Sequence, residues 1–225
     1  MGSKLDQLQF VTLSHVETIH ESRDRYTFAF SPDKPIRYSA GQYAHALLAD
    51  VDDSKPVRKL SFASGPGDND VRFTVRIRPE SRYKQALMNL QPGDKLRLFK
   101  IKGKLHLPSS GDVIFIAGGV GMAPFRSMLR DISTRGLAID TTVIQIDRRE
   151  YLYAQEFATA DFPIHYETRE TLSNRLTQTV QDHSHATYYV VGAESLVEDV
   201  TRQLRRLGIS DELIQADEFD GYTEA

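Results

Sequence analysis

The chain contains no cysteine, and this absence removes several classes of function. An iron–sulfur cluster held by these residues, a structural disulfide, a thiolate zinc site and a cysteine nucleophile all need that residue. There is no long apolar run and no apolar N-terminal signal segment, so we expect a cytoplasmic protein without a membrane span. Neither sign of charge dominates, since 28 basic residues stand against 31 acidic ones. That balance gives no indication of nucleic acid or a membrane surface as a partner, and the histidines show no metal-ligand spacing.

The first half of the sequence has the pattern of an all-β unit. Alternating segments rich in Val, Thr, Tyr and Phe are separated by turn signals such as Ser31-Pro32-Asp33 and Gly65-Pro66-Gly67. One helix interrupts them, beginning after Ser81, a natural N-cap. Strands are expected at 9–17, 25–30, 43–48, 58–63, 71–78 and 95–100. Short strands at this spacing predict an antiparallel six-stranded β-barrel.

After Pro108 the pattern changes to strands that alternate with helices. Strands are expected at 113–117, 142–146, 164–167, 188–191 and 212–216, and helices at 122–132, 153–158, 173–180 and 196–207. This alternation predicts an α/β domain with a doubly wound parallel sheet. The sequence therefore predicts two domains, residues 1–108 and residues 109–225.

A glycine turn follows the first strand of the second domain. Gly118, Gly119 and Gly121 allow a tight turn and a close backbone approach to a ligand, and Pro124 fits the first turn of a helix. Strand, glycine turn and helix N-terminus together present backbone N–H groups to a phosphate. The dinucleotide fingerprint G-x-G-x-x-G is not met, because Pro124 stands at its third glycine. By itself, the turn fits any α/β protein equally well.

Four segments, in order along the chain, carry a resemblance to the ferredoxin–NADP reductase family. The segment Arg58-Lys59-Leu60-Ser61-Phe62-Ala63-Ser64 resembles its flavin signature R-x-Y-S-x-A-S, and Gly118 to Pro124 resembles its nicotinamide-nucleotide turn. The segment Tyr189 to Val197 is similar to its third motif, and Asp217 to Tyr222 to its C-terminal end. The four motifs span nearly the whole chain and are more specific together than any one alone.

The resemblance implies that the first motif binds FAD. Arg58, with its planar and permanently charged fork, is implied to hold a flavin phosphate, with Lys59 beside it. Leu60 takes the place of a tyrosine that stacks on the flavin ring, and Ser61 is implied to be a catalytic residue near flavin N5. Taken alone, these residues would more simply be an exposed strand arginine and an ordinary serine.

Further flavin contacts are implied by the next strand and by the C-terminus. The backbone of Arg76-Ile77-Arg78 is implied to run along the flavin, and the helix start at Ser81-Arg82-Tyr83 to receive the pyrophosphate. Phe219 and Tyr222 are implied to cover the other flavin face, and Glu218 to help protonate the flavin as a second catalytic residue. Read without the family, these are a capped helix and a phenylalanine that packs a terminal strand.

The second domain is implied to bind the nicotinamide nucleotide. Gly118-Gly119-Val120-Gly121-Met122-Ala123-Pro124 would line the nicotinamide, together with Val191 and Gly192. Val191 stands where relatives have a cysteine. Asp147-Arg148-Arg149 would meet the adenosine ribose, where aspartate favours NADH and arginine favours the 2′-phosphate of NADPH. Both types are present, so NADH and NADPH remain open.

The implied function is that of an FAD-dependent NAD(P)H oxidoreductase that passes hydride from NAD(P)H to flavin and then single electrons to an external acceptor. The acceptor would be a ferredoxin, a flavodoxin, an oxygenase component or free flavin, and the surplus of basic residues between Lys55 and Lys104 would suit an acidic protein. A flavin reductase that uses diffusible flavin is one alternative, which Leu60 favours. A non-catalytic flavin- or nucleotide-binding subunit is another, which Val191 favours.

Overall fold

The structure is a computed structural model of the protein, and it describes residues 9–48, 51, 55–148 and 150–219. The chain divides into two compact units, Met1–Lys104 with Arg126–Asp131, and Leu105–Phe125 with Ile132–Ala225. The predicted assignment of residues 1–108 to flavin and 109–225 to the nicotinamide nucleotide stays a prediction. Compactness alone does not reveal which ligand a unit binds.

The described part of the first unit is built on six antiparallel strands. They are β1 (Val11–Ser22), β2 (Arg25–Pro32), β3 (Tyr43–Leu47), β4 (Val57–Ser61), β5 (Val71–Arg76) and β6 (Lys95–Lys102), in the sheet order β4-β3-β6-β1-β2-β5. The two edge strands meet just beyond β4, where Phe62 pairs with Phe73 and Ala63 N donates to Arg72 O at 2.8 Å. The sheet therefore curls on itself, and the predicted six-stranded barrel is confirmed.

Period-two alternation directs one side of each barrel strand into the core. Phe28 and Phe30 on β2 are fully buried, as is Leu96 on β6. Strands β1 and β2 form a long hairpin whose loop is only two residues, Arg23 and Asp24, since Ser22 pairs with Arg25. The hairpin tip lies at the end of β5, because Ile77 N donates to Asp24 O at 2.6 Å.

One helix, α1 (Arg82–Met88), lies between β5 and β6. The predicted N-cap is confirmed, because Ser81 Oγ accepts from Lys84 N at 3.4 Å. Tyr83 and Leu87 are the buried residues of the helix, and both belong to the barrel core.

In its described residues the second unit holds five parallel strands and three whole helices, together with both ends of a fourth helix, whose middle residues Arg126–Asp131 belong to the first unit. The strands are β7 (Ser110–Gly118), β8 (Ala138–Ile146), β9 (Ile164–Glu167), β10 (Thr187–Ala193) and β11 (Ile214–Phe219); the helices are α2 (Met122–Arg135), α3 (Ala154–Phe157), α4 (Leu172–Asp182) and α5 (Glu194–Arg206). The sheet order is β11-β10-β7-β8-β9, so the order of addition reverses between β7 and β10. The predicted α/β domain with a parallel sheet is confirmed.

Both faces of this parallel sheet are covered, which explains its nearly continuous apolar strands. On one face Ile114, Ile116 and Val190 pack with residues of α4 and α5. On the other face Phe115 meets Phe125 of α2, with ring centroids 4.7 Å apart. Among the described residues, no helix combines the length and the apolar character that a bilayer span requires.

Candidate functional site

Arg58 carries a buried positive charge at the edge of the barrel. Its residue is only 6% exposed, and Nη1 donates to the carbonyls of Lys55 and Val57, the latter at 3.1 Å. The guanidinium carbon lies 5.0 Å from the centre of the Tyr83 ring, within the range of a cation–π contact. Tyr83 is fully buried, and its hydroxyl donates to Ala46 O at 3.0 Å. Tyr83 thus packs against Arg58 from the barrel core, whereas the sequence predicted Tyr83 as a direct flavin contact.

Arg58 is one of four cations that converge here, with Arg76, Arg78 and Lys84; we call them the cation cluster. Burial, and then the charges of Arg78, Arg58 and Arg76, lower the pKa of the Lys84 ammonium to about 8, while Asp24 opposes them. Hydrogen bonds hold the chain around Arg78 against the start of α1, since Ser81 N and Gln85 Nε2 both donate to its carbonyl at 3.2 Å. Strand β4, the end of β5 and helix α1 therefore direct positive charge toward one place.

The cation cluster fits a group with more than one negative charge. Like charges held close together destabilise one another, and this repulsion adds to burial in lowering the pKa of Lys84. A pyrophosphate would relieve it and would match the planar fork of arginine. Helix α1 has only seven residues, so the side chains supply most of the charge, and of the predicted residues there Arg82 is exposed. Sequence reasoning did not include Lys84 in the site, although its position one turn after Ser81 was visible.

Leu60 lies differently from what its motif position suggested. Its residue is 9% exposed and belongs to the barrel core, because it shares the inward face of β4 with Arg58. Little of its side chain is left to cover a flavin ring. Ser61 lies on the other face and pairs with Tyr43 of β3, whose ring centre is 5.9 Å from Lys59 Nζ. The aromatic side chain beside Ser61 in the sheet is therefore Tyr43, which sequence reasoning missed.

Helix α2 supplies three side chains that hold the segment following β4. This segment is the second half of the predicted flavin motif, and its carbonyl groups lie in the interior of the first unit. The contacts are Arg126 Nη1 to Ala63 O at 2.6 Å, Ser127 Oγ to Ser64 O at 2.6 Å, and Arg130 Nε and Nη2 to the two carboxylate oxygens of Asp68 at 2.6 and 2.7 Å.

Tyr38 fixes the same segment from another direction. Its hydroxyl donates to Gly65 O at 2.7 Å and lies 3.0 Å from Ser64 Oγ, and its ring stacks on Phe62 with centroids 3.8 Å apart. Burial raises the pKa of Tyr38 to about 12, so the hydroxyl keeps its proton and remains a donor. The strand end that carries Ser61 is thus held rigidly.

The second unit contains the predicted glycine turn. Strand β7 ends at Gly118, one turn of 3₁₀-helix covers Gly119–Gly121, and α2 begins at Met122. Gly119 has a φ of 54°, in the left-handed region that favours glycine. A Cβ at Gly121 would lie 2.3 Å from the carbonyl oxygen of Val191. Close packing within the unit itself therefore requires glycine at 121, and the ligand approach that the sequence suggested stays a prediction.

The carboxyl ends of β7 and β10 lie side by side at the point where the strand order reverses. Val191 pairs with Ala117, and a Cβ at Gly192 would lie 3.4 Å from Gly118 N. In doubly wound sheets, ligands bind in the crevice at such a reversal, outside the carboxyl ends of the strands. The predicted nicotinamide residues of the turn and of β10 are thus brought together at one crevice. Met122, Ala123 and Pro124 are buried, and Val120 is half-buried.

The predicted C-terminal residues fall at the same end of this sheet. In the parallel pairing of β10 with β11, Glu218 lies beside Gly192 and Phe219 beside Ala193. Glu218 is exposed and Phe219 is half-buried. Tyr222 lies outside the described residues. The predicted roles of all three toward flavin stay predictions.

The predicted ribose residues follow β8. Asp147 Oδ1 accepts from Arg148 N at 2.7 Å, and the Arg148 side chain is exposed. Arg149 lies outside the described residues. An acid and a cation therefore both stand at this strand end, as the sequence predicted.

Sequence reasoning missed Arg169, which follows the next strand, β9. Its Nη2 donates to Ser195 Oγ at 3.2 Å, at the start of α5. A hydrogen bond from Thr168, with smaller contributions from Arg148 and Arg169, lowers the pKa of Glu170. Arg148 and Arg169 thus follow the carboxyl ends of two neighbouring strands, β8 and β9. The signal in the sequence was the position of Arg169, the second residue after a predicted parallel strand.

Comparison with known proteins adds a family match and partial relatives. Residues 10–106 match the oxidoreductase FAD-binding domain. Reductase component 1 of terephthalate 1,2-dioxygenase from Comamonas sp is 33% identical over 114 residues, 49% of this chain and 33% of that protein. The carnitine monooxygenase reductase subunit of Escherichia coli (strain K12) is 25% identical over 232 residues, 95% of this chain and 69% of that protein. The chain spans only a third of the length of the dioxygenase reductase components that it matches.

Comparison with solved structures concerns the fold. A ferredoxin NADP+ reductase from Neisseria gonorrhoeae with bound FAD and NADP has a TM-score of 0.78 at 17% sequence identity. The match covers 94% of this chain and 99% of that one. Both units of the chain are thus accounted for by one known architecture.

Proposed function

We propose that this chain, whose residues 10–106 match the oxidoreductase FAD-binding domain and whose fold is similar to that of a ferredoxin NADP+ reductase, belongs to the ferredoxin–NADP reductase family and is an FAD-dependent NAD(P)H oxidoreductase. The observation that carries this proposal is the cation cluster, which lies inside the FAD-binding match. A buried arginine lies near a lysine whose pKa is lowered by burial and then by three arginines, and an anionic ligand would relieve the repulsion among these charges. The crevice between β7 and β10 supplies a second, separate nucleotide site.

When bound, the flavin supplies the chemistry that turns the two-electron donation of a hydride into single-electron steps. The chain's own residues bind and orient. Arg58, Arg76, Arg78 and Lys84 would hold the flavin phosphates, and the rigid end of β4 would present Ser61 to the flavin. The glycine turn and Gly192 would let the nicotinamide nucleotide approach the backbone closely. Rigid placement of this kind lowers the entropic cost of bringing two reactants together.

The electron acceptor is proposed to be a separate protein with an acidic surface. The 225 residues contain no cysteine, so an iron–sulfur acceptor would have to lie outside them. The relatives named above are reductase components or subunits of oxygenases, which supports an oxygenase component as the acceptor. Three exposed lysines occupy every second position at the end of β6 and just beyond it, at Lys100, Lys102 and Lys104. Their positive charge would attract an acidic surface. We keep ferredoxin, flavodoxin and free flavin as alternative acceptors, and a cytoplasmic location as part of the proposal.

An absorption spectrum tests this function most directly. We expect flavin bands in the purified protein, or after incubation with FAD, and bleaching of those bands under anaerobic NADH or NADPH. Titration with each nucleotide decides which one is used, since Asp147 favours NADH while Arg148 and Arg169 favour NADPH. A colourless protein that oxidises NAD(P)H only when free flavin is added would indicate a flavin reductase instead. Bound flavin that neither nucleotide bleaches would indicate a binding subunit.

The pH dependence of flavin binding follows from Lys84. Its pKa is about 8 in the free protein, and phosphates nearby favour the charged ammonium. FAD affinity should therefore be constant below about pH 7 and fall by up to about tenfold per pH unit above pH 8. Isothermal titration with FAD between pH 6 and 9.5 measures this. In Lys84→Met the decline should disappear, and a decline that persists there would assign the titration to another group.

A further inference from the structure

Asp24, at the tip of the β1–β2 hairpin, is an acid placed among the cations that would hold the flavin phosphates. Its Oδ2 accepts from Arg76 Nε at 2.6 Å, and its backbone oxygen ties the hairpin tip to the end of β5. Although partial burial opposes it, the hydrogen bond and charge of Arg76 lower the pKa of Asp24, so the carboxylate is ionised at neutral pH. The charge of Asp24 also raises the pKa of Lys84, which the charges of the three arginines lower.

The Asp24–Arg76 ion pair is exposed enough for an anionic ligand to replace Asp24 as the partner of Arg76. The two side chains are 36% and 49% exposed, so water screens the pair and competes for both groups. A pyrophosphate offers arginine more charge and a better match to its fork than one carboxylate does. An anionic ligand at the cluster would also lie near the Asp24 carboxylate, and like charges at such distances repel one another.

We propose that Asp24 is an internal counter-ion of the flavin-phosphate site, which holds Arg76 in the flavin-free protein and competes with the phosphates for it. The inference rests on the proposed function, because it requires that the cation cluster binds flavin phosphates. Asp24 neutralises part of the cluster when flavin is absent. Because it competes with the phosphates for Arg76, Asp24 also limits how tightly flavin is retained.

Asp24→Asn tests the competition. Asparagine keeps the size of the side chain and suits a two-residue hairpin loop, so the backbone bond to Ile77 should remain. FAD dissociation constants are measured at low salt from the quenching of FAD fluorescence as flavin-free protein is added. We expect Asp24→Asn to bind FAD about tenfold more tightly, and the gain to shrink at high salt, where charges are screened. Unchanged or weaker FAD binding would overturn the proposal, since a residue that merely orients Arg76 would help binding.

Two controls show whether the gain depends on this particular carboxylate and on the flavin phosphates. Asp70→Asn breaks a comparable ion pair of the same unit, Asp70 with Arg72 at 2.8 Å, and should leave FAD affinity unchanged. Riboflavin lacks phosphate, so its affinity should be equal in the wild type and in Asp24→Asn. An equal gain for riboflavin would overturn the phosphate assignment. If the wild type binds neither FAD nor riboflavin, the proposed function fails, whereas FAD binding without a gain in Asp24→Asn refutes only this inference.

Discussion

Gly121→Ala is expected to lower the free energy of unfolding of the second unit by about 3 kcal/mol. The added Cβ would lie 2.3 Å from the carbonyl oxygen of Val191 and 2.8 Å from its carbonyl carbon. Both are backbone atoms of a central strand, so they cannot move aside as the end of a flexible side chain would. Urea denaturation followed by circular dichroism measures the loss, and valine at the same position should be worse.

Gly136→Asn is the matched control for this substitution, because Gly136 ends the helix that begins beside Gly121. Gly136 has a φ of 59°, nothing lies within 4 Å of a Cβ built there, and asparagine tolerates the left-handed conformation at a helix end. We expect little change in stability. A stable Gly121→Ala protein would contradict the close approach of the turn to β10. Weak nicotinamide binding by a Gly121 variant should be interpreted only after its stability is known.

Arg58→Ala should weaken FAD binding by about 100-fold, the largest binding effect we expect in the chain. The guanidinium is held by two carbonyl groups and by the Tyr83 ring, so it is already oriented before any ligand arrives. Because Arg58 also lowers the pKa of Lys84, that pKa should rise above about 8 in the variant. Fluorescence quenching of FAD measures the first effect, and NMR titration of the lysine measures the second.

Two further variants serve as controls for Arg58→Ala: the conservative change Arg58→Lys and the substitution Arg97→Ala. Lysine keeps the charge but loses the planar fork and the stacking on Tyr83, so we expect an intermediate loss of FAD affinity. Arg97 is an exposed arginine on β6, and its removal should leave FAD affinity unchanged. Unchanged flavin content in Arg58→Ala would refute the assignment of this residue to the phosphates.

Local patterns in the sequence were sufficient for the elements of this fold and for its two-part organisation. Alternation predicted the barrel strands, and Ser81 predicted the start of α1 because an N-cap acts within one turn. The last strand lies at Ile214–Phe219 rather than at 212–216, because a turn of 3₁₀-helix occupies Asp211–Leu213. Sheet orders were not predicted, since they depend on pairings between strands distant in sequence.

The site was predicted less completely, for the same physical reason. Motif positions predicted flavin contacts at Arg58 and Ser61, which stay predictions, but the same alternation that buries Arg58 also directs Leu60 into the core. Asp24 and Arg76 are 52 residues apart, and no local pattern indicates that a hairpin tip reaches the end of β5. The sequence explained Gly121 by a ligand, whereas its nearest neighbour is a carbonyl group on a strand 70 residues later, at Val191.

The assignment of Arg126–Asp131 to the first unit has a consequence for how the protein is made. The barrel strands end at Lys102, yet the carbonyl groups of Ala63 and Ser64 receive their donors from Arg126 and Ser127. During synthesis, the ribosome must therefore release the first strand of the second unit and half of α2 before the barrel has all its partners. Until then the buried carbonyl group of Ala63 lacks its arginine donor, which costs about 1–3 kcal/mol, and the carbonyl group of Ser64 keeps only the hydrogen bond from Tyr38. The first unit thus matures only after part of the second has been synthesised, although it comes first in the chain.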